Sequence, residues 1–115
     1  MNIEISVIIP TYNRQKSLDS CLDHLLNQTL DKNRYEIIII NDGGNDSIKQ
    51  LVDTYRDKYP GMITYFKQPN QGPAAARNNG ARKARGDILF FLDDDCLAEK
   101  YVLNNIIEEF DKFGK

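Results

Sequence analysis

An α/β fold built on a mainly parallel sheet of about four strands is what three features of this chain predict. Runs rich in β-branched residues alternate with helical stripes four times. Each run gives way to a turn-forming or polar segment. The fourth, Ile88-Leu89-Phe90-Phe91-Leu92, stops abruptly at three carboxylates, Asp93, Asp94 and Asp95. Strands that alternate with helices imply right-handed crossovers and helices on both faces of one sheet.

The elements follow in order. Ile3 to Ile9 is a β-branched run stopping at Pro10, which reads as a strand. Leu18, Cys21, Leu22, Leu25 and Leu26 recur at helical spacing, and Ser17 or its predecessors are placed to cap that helix. Ile37 to Ile40 is the second strand, ending at the turn Asn41-Asp42-Gly43-Gly44. Ile48, Leu51, Val52, Tyr55 and Tyr59 form a second helical stripe, closed by Pro60-Gly61. Met62 to Phe66 is a weaker third strand. Pro69-Asn70-Gln71-Gly72 is a loop, and Pro73 suits the first turn of a helix running to about Arg85, with Gly80 as a tolerated defect inside it. Asp87 to Leu92 is the fourth strand, expected to be buried. Val102, Leu103, Ile106, Ile107, Phe110 and Phe113 mark a last helix that ends towards Gly114-Lys115.

A chain of 115 residues makes one domain with a single modest core. With 41% hydrophobic and 28% charged residues the composition is that of a folded globular chain. A net charge of −2 gives no global attraction to nucleic acid or an anionic membrane. No apolar run approaches a membrane span. Met1 to Pro10 lacks the basic start and cleavage site of a signal peptide. Cys21 and Cys96 lie far apart without a paired motif, so a reduced, cytoplasmic setting is expected, with a peripheral place at the inner face of the membrane open to a longer protein.

The chemistry is expected at one sheet edge, because open α/β sheets bind ligands outside the carboxyl ends of their strands. Pro10-Thr11-Tyr12-Asn13-Arg14, Asn41-Asp42-Gly43-Gly44, Asn70-Gln71-Gly72 and Asp93-Asp94-Asp95 converge there. Taken singly, Thr11, Asn13 and Asp42 suit ordinary turns, Gly43-Gly44 a flexible turn, and the small residues from Ala74 to Ala84 a helix approaching a sheet. Arg82, Lys83 and Arg85 suit a solvated face and a helix C-terminus. Arg77, near a helix start, is where an anion is welcome. Three adjacent acids repel one another, and a divalent cation would relieve the repulsion and hold a phosphorylated ligand. Cys96, beside those acids, is a poor thiolate candidate.

Val7-Ile8-Ile9-Pro10-Thr11-Tyr12-Asn13-Arg14, Glu36-Ile37-Ile38-Ile39-Ile40-Asn41-Asp42-Gly43, the stretch from Asn70-Gln71-Gly72-Pro73 through Ala76-Arg77-Asn78-Asn79-Gly80, and Phe91-Leu92-Asp93-Asp94-Asp95 together resemble the family 2 glycosyltransferases of the Rossmann-like GT-A fold. Four motifs in order, over nearly the whole chain, make the resemblance specific. It implies a site for a nucleotide-diphosphate sugar, most simply a UDP-sugar, with guanine and thymine donors left open. Pro10, Thr11 and Tyr12, with Asn13 and Arg14 beside them, would line the nucleoside. Asp42 would accept a hydrogen bond from the base. Asn70 and Gly72 would border the cleft, and Arg77 would approach the diphosphate or sugar. Asp93 and Asp94 would touch ribose or sugar, and Asp95, with Asp93, would bind Mg²⁺ or Mn²⁺. The acceptor would be a glycan or a lipid-linked molecule, in polysaccharide synthesis, with inversion at the anomeric carbon.

In such enzymes the acceptor half and its general base follow the acidic strand, yet only twenty residues follow Asp95 here. Glu99, Glu108 and Glu109 are unconvincing bases. Residues 1–115 are therefore expected to be the nucleotide-sugar-binding half of a longer, truncated transferase, inactive alone and prone to self-association through uncovered sheet surface. A noncatalytic sugar-nucleotide module is the nearest alternative. A receiver-type signalling domain needs an acidic pair where Thr11-Tyr12-Asn13 stands, and a nucleotidyltransferase needs a glycine-rich loop there.

Overall fold

Residues 2–113 are described by the computed structural model; Met1 and the expected helix end at Gly114-Lys115 lie outside the described residues. The chain runs β1 (Ile5–Thr11), α1 (Gln15–Leu25), a 3₁₀ turn (Lys32–Arg34), β2 (Tyr35–Asp42), α2 (Ser47–Lys58), β3 (Ile63–Gln68), α3 (Pro73–Lys83), β4 (Ile88–Phe91) and α4 (Val102–Phe113). All strands are parallel, in the order β3-β2-β1-β4. In register, Ile8 lies between Ile38 and Phe91, and Thr11 beside Asn41.

β1 and β2 are central and buried on both faces, which is why their sequences read as near-continuous Ile and Val. Ile5, Val7, Ile9, Ile37 and Ile39 face a core completed by Leu18, Leu22, Ile48, Val52, Leu103 and Ile107 from α1, α2 and α4. Ile8, Ile38 and Ile40 face the other way and meet Ala76 of α3. The larger core thus sits under three helices, and one small-residue helix covers the opposite face.

Several expectations change. Pro10 does not end β1, which continues to Thr11. Its missing N–H falls on the β4 side, where the ladder ends with the Leu92 N–H bonded to the Ile8 carbonyl, while the pairing with β2 runs on to Thr11. Ser17 is not a cap; Arg14 occupies that position without a side-chain cap bond, and Ser17 lies inside α1. Pro73 does open α3. β4 is a half-exposed edge and not a buried strand: Ile88 and Phe90 pack on the larger core, while Leu89 and Phe91 are 41% and 45% exposed because α3 stops short of them.

Gly80 is no defect. A Cβ there would stand 2.5 Å from Cγ2 of Ile8, so its absence lets α3 lie against β1. Arg85 is not a free surface charge either. Its backbone N–H donates to the buried Glu36 carboxylate at 2.7 Å and its Nε at 3.0 Å, and the Ser6 hydroxyl completes that cluster at 2.6 Å. A buried carboxylate needs such partners. These bonds pin the end of α3 to β1 and β2 at the sheet end remote from the acids.

Candidate functional site

The strand order reverses direction between β1 and β4, and the crevice beyond that point is where such sheets bind ligands. A cavity of about 340 Å³ opens there, lined by Pro10 and Thr11 at the end of β1, Tyr12 and Arg14 just after it, Asp42 at the end of β2, Pro73 and Arg77 of α3, and Asp93, Asp94 and Asp95 after β4. Its volume lies within the usual range for small-molecule sites.

Thr11 and Asp94 join the two strand ends. The Thr11 hydroxyl donates to Oδ2 of Asp94 at 2.8 Å. Asp94 is the buried member of the triplet, and burial raises its pKa; the Thr11 hydroxyl and Arg14 oppose that rise, and its acidic neighbours Asp95 and Asp93 add to it. Arg14 spans two acids, with Nε 3.4 Å from Asp94 and Nη2 3.0 Å from Asp95. Beneath them the Cys21 thiol, its pKa pushed up to about 12 mainly by burial, reaches the Asp93 carbonyl at 3.8 Å. The thiol is thus packing for the acidic turn, and its charged form is suppressed.

Asp42 organises the opposite wall. Its carboxylate accepts the backbone N–H of Gln71 at 2.8 Å and of Gly72 at 3.0 Å, and the side-chain amide of Gln68 at 2.9 Å. Burial opposes its ionisation, but these three donors outweigh burial and leave its pKa below the usual carboxylate value. Asn70 donates its side-chain amide to the Asp42 carbonyl at 3.0 Å. Gly43 makes that approach possible: its φ is +83° and a Cβ would lie 2.7 Å from the Asn70 nitrogen. The Gly43-Gly44 turn is therefore tightly packed and not slack.

Of the residues the sequence nominates, Pro10, Thr11, Tyr12, Arg14, Asp42, Arg77, Asp93, Asp94 and Asp95 share the cavity. Asn13, Asn70 and Gly72 shape it from behind. Asn13, at φ +53°, uses its side-chain oxygen to accept the Asn45 N–H at 2.9 Å and so ties the β1 loop to the β2 loop. Pro73 also lines the cavity. The sequence marked it only as a helix start, although its place directly after the Gly72 turn was a usable signal.

Asp93 and Asp95 are exposed and offer hard oxygen donors at the cavity. Among the described residues no group of three or more His, Cys, Asp or Glu is assembled around a metal position. That donor set fits Mg²⁺ or Mn²⁺ in the mode that takes one or two carboxylates and leaves the rest of the shell to ligand phosphates and water. Arg77 makes no ion pair with another described residue, so its half-buried guanidinium is available to an anion.

Residues 6–115 match the family model described as glycosyl transferase family 2. Minor teichoic acid biosynthesis protein GgaB of Bacillus subtilis strain 168 is 34% identical over 111 residues, 96% of this chain and 12% of that protein. Poly(ribitol-phosphate) beta-glucosyltransferase of Bacillus spizizenii is 37% identical over 94 residues, 81% of this chain and 15% of that protein. The crystal structure of S. aureus TarS 1-349 in complex with UDP-GlcNAc superposes with a TM-score of 0.89 at 29% identity, over 96% of this chain and 32% of that one. The chain thus spans well under two thirds of the length of the proteins it matches.

Proposed function

The chain belongs to glycosyl transferase family 2 and has the GT-A fold; from that premise we propose that its crevice holds a nucleoside-diphosphate sugar for transfer to an acceptor hydroxyl. The observation that carries this reading is Arg77, unpaired among the described residues, sharing one cavity with Asp93, Asp94 and Asp95. An anionic ligand that also recruits a cation satisfies both sets of charge, and a sugar diphosphate is such a ligand.

The roles follow from position. Pro10, Thr11 and Tyr12 line the nucleoside, Asp42 accepts an N–H of the base, and Arg77 takes the diphosphate. Asp95, with Asp93, would hold Mg²⁺ or Mn²⁺, which when bound stabilises charge growing on the departing diphosphate. Arg14, already paired to Asp94 and Asp95, keeps those carboxylates oriented. The acceptor hydroxyl gives its proton to a base and attacks the anomeric carbon from the side opposite the diphosphate, inverting it. None of the glutamates after β4 is suited to act as that base. Glu99 accepts the Tyr101 N–H, Glu108 the Asn104 amide, and Glu109 pairs with Lys112, and none lines the cavity. We therefore assign the base and the acceptor site to polypeptide beyond this donor half, which alone binds donor without efficient transfer.

A UDP-hexose donor is supported by the UDP-GlcNAc held by the TarS structure, and a glycan or lipid-linked polymer acceptor by the teichoic acid and poly(ribitol-phosphate) relatives. The proposed setting is cytoplasmic, at the membrane's inner face in the whole protein, which suits the two free thiols. Self-association through the open β4 edge is proposed from the exposed Leu89 and Phe91.

The test is calorimetric titration of the chain with UDP, GDP, CDP and TDP, with and without Mn²⁺. UDP is expected to bind, more tightly with the cation, and Asp95→Ala to remove the cation's effect. Equal heats for every nucleotide with no cation dependence would overturn the reading. Turnover of a UDP-sugar onto an acceptor by this chain alone would overturn its assignment as a donor half.

A further inference from the structure

Behind the cavity, away from the acidic turn, stand two linked amides, buried Gln68 and half-buried Asn79, that the roles above leave unused. Gln68, at the end of β3, is 8% exposed. Its Nε2 donates to Oδ1 of Asp42 at 2.9 Å, and its Oε1 accepts from Nδ2 of Asn79 at 2.9 Å. Hydrogen-bond chemistry permits only this orientation. An ionised carboxylate accepts and cannot donate, so Gln68 must turn its NH₂ to Asp42, which leaves its oxygen for Asn79. Oδ1 of Asp42 then has two donors, Gln68 and the Gln71 N–H, whereas Oδ2 has only the Gly72 N–H. Oδ2 thus keeps acceptor capacity, and Asp42 lines the cavity.

We propose that Gln68 and Asn79 are positioning residues that hold Asp42 as an acceptor-only group and thereby set which base the crevice admits. The inference rests on the donor-site reading above. A base offering an imide N–H at that point is accepted, and cytosine, which offers a ring acceptor there, is refused. The lowered pKa of Asp42 is consistent with such a hold. Asn79 and Arg77 sit on the same helix, so the relay also ties the base end of the crevice to the guanidinium assigned to the diphosphate. The other charged groups of the cavity are Arg14, Arg77, Asp93, Asp94 and Asp95. They meet the same diphosphate whichever base is attached, so a ratio of affinities for two bases cancels their effect.

The experiment measures the UDP-over-CDP affinity ratio, with Mn²⁺, from pH 5 to 8 in the unaltered chain, Asn79→Ala, Asn79→Asp and Gln68→Glu. Asn79→Asp keeps the shape but accepts the Gln68 NH₂, which turns the Gln68 oxygen against Asp42. The ratio should fall on the order of tenfold in Asn79→Asp and by less in Asn79→Ala. In Gln68→Glu the introduced carboxyl protonates before Asp42, which the Gln71 and Gly72 N–H groups hold ionised, so the ratio should be lowest near pH 8, where two carboxylates face each other, and recover as pH falls and the new O–H donates to Asp42, while the unaltered chain stays flat. A packing role alone predicts the reverse order for the two Asn79 variants, because Asp is the better fit. Ratios unchanged in all variants that still bind UDP and unfold at near-normal temperature would overturn the relay. Failure of the unaltered chain to bind UDP would overturn the donor-site reading, and the relay with it.

Discussion

Replacing Gly80 by alanine should destabilise the protein, although helix propensity alone says the opposite. In an exposed helix interior the change from Gly to Ala gains about 1 kcal/mol. Here the new methyl would stand 2.5 Å from Cγ2 of Ile8 and 3.5 Å from Cγ1 of Ile40. Carbon atoms pack at about 3.5–4.0 Å, so α3 must retreat from β1 by roughly 1 Å. Overpacking of this kind costs about 1–3 kcal/mol, and strand β1 cannot yield because both of its faces are buried. The gain in propensity offsets part of this, leaving a net loss of up to about 2 kcal/mol. Urea denaturation followed by circular dichroism should show a lower midpoint with an unchanged slope. Arg77 rides on the same helix, so UDP affinity should fall as well. A double-mutant cycle with Ile8→Ala, which removes the clashing methyl, should recover about 1 kcal/mol of coupling. A raised midpoint in Gly80→Ala, or no coupling in the cycle, would refute the claim that this glycine exists for close approach.

Three further outcomes are expected. Arg77→Ala should weaken UDP binding by on the order of tenfold or more at low salt, measured by calorimetry, while the melting temperature barely moves, since no ion pair is lost with it. Asp42→Asn should cost about 1–3 kcal/mol of stability at neutral pH; because the folded pKa of Asp42 is lowered, its contribution is full above the ordinary carboxylate value and is lost as pH falls through the folded one, so the two melting curves should converge in acid. Phe91→Lys should make the chain more monomeric in sedimentation runs without lowering its melting temperature, because that side chain is 45% exposed on an open edge.

The alternation of elements was legible along the chain, for a physical reason. A parallel sheet covered on both sides demands unbroken apolar strands, and helices covering it demand stripes, so both periods are written in Ile5 to Ile9, Ile37 to Ile40 and the leucines of α1. The nominated cavity residues were legible too, because each lies at or just past the end of a strand, or in the first turns of a helix, at one sheet edge. Position in the fold then sorted them. Asn13, Asn70 and Gly72 are as polar or as pliant as their neighbours, and only the crossing of loops revealed that they brace the site from behind. Nothing local separates Asp94 from Asp93 and Asp95; its burial against Thr11 comes from the pairing of β1 with β4.

Residue order alone thus decided which segments are strand, helix and turn, and which ends carry acids, amides and arginine, because those choices depend on neighbours a few positions away. What partners Glu36 finds in Ser6 and Arg85, why Gly80 must lack a side chain, which face of β4 stays bare, and how Gln68 and Asn79 stand behind Asp42 were decided only in three dimensions. Each of these depends on contacts between groups far apart in sequence, which become neighbours only when the strands take the order β3-β2-β1-β4.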